Sequence, residues 1–258
     1  MALRFVELEE AKAAEGLRLV LLAGVPSPWS QAAKAFVEID GVDALGVWMR
    51  AGDAEVAAWT GMPNAPVALL NAEPPRNGWA QILTLIERLS PEPRLIPEDA
   101  ESRVEMHGLS HEVMGEDGLI WNARLVTVDA SLDGSGGPGF AVPVAQYLGA
   151  RYGYSPGCGE RARSRVSEVF RLLEERLSRG RATGPYYCGA RLSALDVYAT
   201  AALDALVPLP DDQCAMHPGF RKAFSAQQEL FGKRAPTALL EHRDMMHERH
   251  MPLPMALG

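Results

Sequence analysis

Between Leu17 and Gly41 the chain reads LRLVLLAGVPSPWSQAAKAFVEIDG, an apolar run of strand length, a turn, then an amphipathic run of helix length. The same alternation recurs twice more before residue 90, and it restricts the fold more than any other feature. Leu17 to Ala23 stops at Gly24, as a buried strand does. In the helix that follows, Ala33, Phe36, Val37 and Ile39 fall near one face, Gln31, Lys34 and Glu38 point elsewhere, and Asp40-Gly41 ends it. Val42 to Met49 is predicted as a second strand, EVAAWTGM as a short helix, and Pro66 to Asn71 as a third strand. Trp79 to Leu89 is predicted as a helix with Ile82, Leu85, Ile86 and Leu89 on its buried face. That order describes a small α/β domain over residues 1–90.

SPEPRLIPED carries three prolines and few core residues, so it reads as a linker. Over residues 98–258 the strand pattern fades, and this part is expected to be all-helical. DAESRVEMHGLSHEVM and GLIWNARLVTVDASL are two helical stretches interrupted near Gly115 to Gly118, and DGSGGPG, Asp133 to Gly139, is a flexible loop. Glu160 to Gly180 is the clearest amphipathic helix, with Ala162, Val166, Val169, Phe170, Leu173 and Leu177 in one stripe. Ser193 to Leu206 is apolar nearly all round and belongs in the middle of a bundle. A last helix covers roughly 235–249.

The 258 residues carry a formal charge of -8. An acidic chain without a basic cluster repels phosphate backbones, so nucleic acid is not an expected partner. Cys158, Cys188 and Cys214 are widely spaced and form no CxxC, which fits a reducing cytoplasm better than a disulfide framework. The start MALRFVELEEAKAAEG lacks the layout of a signal peptide, and no apolar run approaches the roughly 20 residues of a membrane span. A soluble, cytoplasmic protein with no membrane contact is expected.

Ser193 and Asp196 have the spacing of a capping box, in which the serine accepts from the third backbone N–H and the acid reaches back to the N-cap N–H. That motif concerns folding. Ser27 stands where a strand gives way to a helix N-terminus, a position that favours an anion. No metal site is expected. His107 and His111 lack a third ligand at a recognised spacing, and the tail with His242, His247 and His250 holds HERH, not HExxH, and reads as a charged amphipathic helix. GSGGPG lacks the GK[ST] of a phosphate loop, and there is no GxSxG elbow.

With these elements in this order, the chain resembles the cytosolic glutathione S-transferases, in particular bacterial members. VPSPWSQAAKAFVEIDG is similar to the family's first loop and helix, NAPVALL to the strand that begins at its cis-proline, and YYCGARLSALDVYATAAL to its helix with a Ser/Thr-x-x-Asp capping box. The resemblance implies a thioredoxin-like N-terminal domain followed by a helical bundle, a homodimer, glutathione as co-substrate, and a small apolar electrophile bound between the domains. It places Ser27 at the activating position, with Ser30 as N-cap or first-turn residue of the helix. Trp29, the backbone of Ala65 and the cis-proline Pro66 would contact glutathione. Trp121 and Arg124 in LIWNARL would face the second substrate or the glycine carboxylate of glutathione. The plain alternative for both serines is that they only cap and turn.

Where the family reads the γ-glutamyl end with an acid and a serine, this chain has Asn77 and Gly78. A neutral acceptor is roughly half as strong as a carboxylate. Gly78 offers only its N–H, at a helix N-terminus. The same substitution supports a second reading, a binding or structural protein that keeps the fold without turnover. Isomerase or ether-cleavage chemistry would use the same co-substrate.

Overall fold

The apolar run at Leu17 becomes an interior strand of a four-stranded mixed sheet, in a computed structural model that describes residues 3–90, 94–133 and 139–258. Linker residues 91–93 and loop residues 134–138 lie outside the described residues. Along the chain come β1 (Leu3–Phe5), α1 (Leu8–Ala13), β2 (Leu17–Leu22), α2 (Pro28–Ile39), β3 (Ala44–Met49), α3 (Ala54–Thr60), β4 (Val67–Leu70) and α4 (Trp79–Leu89). The strand order is β1-β3-β2-β4, with β3 parallel to both β1 and β2, and β4 antiparallel to β2. The first strand and helix have no counterpart in the predicted elements. β1 spans 3 residues and α1 spans 6, too short for a period to show.

Two assigned faces need correction. Leu89 is 37% exposed, and Leu83 is fully buried with Ile82, Leu85 and Ile86. Gln31 is buried, because α2 packs against the sheet and also against α9 (Ala194–Leu206). A helix enclosed on two sides buries a polar position that a surface helix would expose.

From Ala100 onward the regular elements among the described residues are all helices: α5 (Ala100–Met114), α6 (Leu119–Leu132), α7 (Val142–Tyr152), α8 (Gly159–Gly180), α9, α10 (Pro218–Phe231) and α11 (Thr237–Arg249). The six stripe residues of α8 are all buried, and so is every residue of α9. The capping box at the start of α9 is present, with the Ser193 N–H donating to Asp196 Oδ2 at 2.9 Å. None of the described helices is long and apolar enough to cross a membrane.

One apolar core runs through both halves. Tyr198 of α9 meets Phe36 of α2 edge-on at 5.0 Å, and its hydroxyl donates to the Trp79 carbonyl of α4 at 3.0 Å. The described part of the linker belongs to this core as well. Leu95 is fully buried, its N–H donates to Glu87 at 2.6 Å, and its carbonyl accepts from Ala194 at 2.9 Å.

Candidate functional site

β2 and β4 run antiparallel with Val20 opposite Val67, so the residues after β2 and those before β4 leave the sheet at the same end. Ser27 follows β2, and the Ala65-Pro66 bond, which is cis, precedes β4. Arg76 pairs antiparallel with Ala68, which brings Asn77 and Gly78 to that end too. The register alone therefore gathers Ser27, Ala65, Pro66, Asn77 and Gly78.

Ser27 is the N-cap of α2, and Pro28 fills the first helical position, where its fixed φ fits and no N–H is needed. The Ser27 residue is 6% exposed, and its hydroxyl makes no cap bond to the helix. That leaves it free to donate. Ser30 is a first-turn residue and not the cap. Its fully buried oxygen accepts the Leu22 N–H at 3.0 Å, tying the end of β2 to α2.

Pro66 is buried and Ala65 half-buried, and no backbone bond from Ala65 to another described residue is formed. Gly78 is the N-cap of α4 and has no side-chain bond to give. The half-buried Asn77 sits directly before it. Trp29 has its single donor engaged, for Nε1 donates to the Met114 carbonyl at 3.0 Å. The indole can offer a ligand only its apolar face.

Trp121 packs edge-on against Tyr152 of α7 at 4.8 Å. The half-buried Arg124 holds its guanidinium carbon 5.7 Å from the Phe140 ring centre and 5.9 Å from that of Phe224 on α10. Burial pulls this guanidinium below its ordinary pKa, opposed by a hydrogen bond with Tyr152. Phe140, Tyr152, Phe224 and Phe220 were not singled out in the sequence. Phe220 and Phe224 stand four apart, a readable spacing, but α10 carried no assigned element.

The loop before Ser27 is held from the helical half. Gly24 adopts φ +79, and a Cβ there would meet the Phe220 ring at 3.2 Å. Its N–H donates to the carbonyl of Leu257 at 2.7 Å. A cavity of about 1020 Å³ lies elsewhere, among Val207, Leu209, Arg221, Arg243, His247 and Leu253.

The C-terminal histidines are not a charged surface. His242 and His247 are buried on α11 and meet Asp196 at 2.9 Å and Asp204 at 3.0 Å. Cys158, Cys188 and Cys214 are free thiols. Among the described residues no group of three or more His, Cys, Asp or Glu is arranged to hold a metal ion.

No family model and no curated protein matches the sequence. Solved structures do. A glutathione S-transferase from Methylobacillus flagellatus KT with glutathione bound matches with a TM-score of 0.63 at 15% identity, over 92% of this chain and 96% of that one. One from Methylobacterium radiotolerans JCM 2831, in complex with glutathione sulfonate, gives 0.59 at 18%, over 90% and 91%. A maleylacetoacetate isomerase from Methylobacterium extorquens AM1 gives 0.51 at 17%, over 88% and 96%. At these identities the likeness is one of architecture: the chain has the glutathione S-transferase fold.

Proposed function

We propose that the protein binds glutathione at the sheet end formed by Ser27, Ala65, Pro66, Asn77 and Gly78, and joins it through its sulfur to a small apolar electrophile. The observation that carries this reading is that, among the described residues, the Ser27 hydroxyl at the N-terminus of α2 makes no cap bond and the Ala65 backbone at the same end of the sheet has no backbone partner. Neighbours of the same fold that hold glutathione or its sulfonate support it.

A thiol of pKa about 8.5 must drop by about two units, or roughly 2.7 kcal/mol, to be largely ionised near neutrality. A charge-assisted bond from a hydroxyl supplies on the order of 1.5–3 kcal/mol and a helix N-terminus about 0.3–1 more. Ser27 donates to the thiolate, and the thiol proton passes to water. The sulfur then forms its bond to carbon as the leaving group departs with the electron pair. Ala65 pairs through its backbone with the cysteinyl unit, Trp29 lends its apolar face, and Asn77 with the Gly78 N–H receives the γ-glutamyl end. Trp121 and Arg124 face the second substrate. A reducing cytoplasm, where free cysteines and thiol glutathione persist, suits this chemistry, and a two-fold dimer is the assembly we assign.

The test is the ultraviolet absorbance of bound thiolate against pH, after glutathione binding is measured by calorimetry. Ser27→Ala should leave affinity near neutral pH within about tenfold and raise the bound thiol's pKa by roughly one to two units. An unmoved titration with glutathione still bound would favour a binding protein without turnover, the reading that Asn77 and Gly78 support. No binding by the unaltered protein would sink both.

A further inference from the structure

Among the described residues, no carboxylate pairs with Arg124. The titratable neighbour acting on it among the described residues is Tyr152, whereas Arg163 and Arg165 of α8 each reach a carboxylate, Asp129 and Glu112 respectively. Arg221 and Arg243 spend their N–H groups on backbone carbonyls as well as on acids. The chain has 33 acidic residues against 25 basic ones, so a half-buried arginine without a carboxylate is not for want of candidates. Desolvating such a charge is costly unless a counter-ion arrives.

The rings of Phe140 and Phe224 lie within cation–π range of the guanidinium and hold it. Its N–H edges stay suited to a planar, two-oxygen acceptor.

Two tethers tie the surroundings of this group to the Ser27 end of the sheet. Trp29, two residues past Ser27, is bonded to Met114 at the end of α5, where α6 begins a few residues on. Arg124 lies only about 8 Å along α6 from its first residue, at 1.5 Å per residue. From the other side, Phe220 packs on Gly24 and Phe224 packs on Arg124, one turn apart on α10. Phe220, 47% exposed, supplies a flat apolar wall between them.

We propose that Arg124 is the anion-recognising residue of the second-substrate site, and that the electrophile carries a carboxylate on a flat, apolar body. This deepens the transferase reading and rests on it for the word electrophile; the carboxylate site itself is testable without glutathione. The probe pair is cinnamate and cinnamamide, of one shape with and without charge, titrated by calorimetry into the full chain.

The unaltered protein should bind cinnamate about tenfold more tightly than the amide, and Arg124→Gln should bring the ratio to about one. Arg124→Lys keeps the charge but loses the fork, so the preference should fall without vanishing. Glutathione affinity should be unchanged in both variants. Equal binding of acid and amide by the unaltered protein, or a preference that survives Arg124→Gln, overturns the proposal. So does a loss of glutathione affinity in Arg124→Gln with the preference intact, which would assign the guanidinium to glutathione's own carboxylate. Should Arg124→Gln fail to fold, Arg124→Lys decides, and an unchanged ratio there overturns the proposal. An unaltered protein that prefers cinnamate yet ignores glutathione sinks the transferase reading and leaves the carboxylate site standing.

Discussion

Ser27 and Ser30 share one turn of chain but face different demands. Ser27 caps α2 from outside with a hydroxyl that bonds to nothing in the helix, and Ser30 turns inward to accept the Leu22 N–H. Removing the Ser30 oxygen leaves that N–H in a part-buried place without an acceptor, which costs about 1–2 kcal/mol. Ser30→Ala should therefore lower the melting temperature while leaving the titration of bound thiol where it was. A shift of that titration in Ser30→Ala, and none in Ser27→Ala, would mean that the activating hydroxyl is on the other serine. The resemblance offered Ser30 as N-cap or first-turn residue, whereas its place in the first turn and its bond to β2 depend on how the helix lies on the sheet.

At the level of elements, α9 organises the helical half. Asp196 serves the capping box through one oxygen and, through the other, receives the Tyr187 N–H and meets His242 of α11, each at 2.9 Å. One turn pair further along, Asp204 meets His247 Nε2, and the other ring nitrogen lies 2.8 Å from the Met251 carbonyl. Both nitrogens face acceptors, so only the doubly protonated ring satisfies both. Burial opposes the charge on His247, but the hydrogen bond and charge of Asp204, with Met251, outweigh it and raise the pKa above its ordinary 6.5. A raised folded pKa means stability that is complete below the unfolded value and lost as pH rises through the folded one. The melting temperature of the unaltered protein should thus exceed that of His247→Gln most at pH below about 6.5, with the gap shrinking as pH rises above it. A gap that widens with pH would show that the ring is buried neutral. HERH gave no hint of this, because the partner acids lie over 40 positions away, on another helix.

Across the whole molecule, the continuous core joins the sheet-bearing half to the bundle, and the C-terminal residues close back on the first loop through Leu257 and Gly24. The core leaves out several apolar side chains on the helical half: Val104 of α5 and Val142, Val144 and Tyr147 of α7 are exposed. Exposed apolar side chains of this kind are what a self-complementary two-fold interface covers. We expect a homodimer by light scattering at micromolar concentration, and a monomer there would count against the assembly we assign.

While α7 and α10 carried no assigned element, the sequence alone determined the succession of strands and helices from Leu17 to Leu89, the interruption at Gly115 to Gly118, the stripe of α8, the wholly buried α9 and its capping box. Each of these is written in local periodicity or in a three-residue spacing, so neighbouring residues suffice to specify it. Only the tertiary structure decided which polar groups found partners: Leu257 on Gly24, Asp204 on His247, Met114 on Trp29, and no carboxylate on Arg124. Those pairings join residues far apart in the chain, and no local pattern records them. They exist because burial forces each polar group to be satisfied by whatever the fold happens to bring beside it, and among the described residues it brings no carboxylate to Arg124.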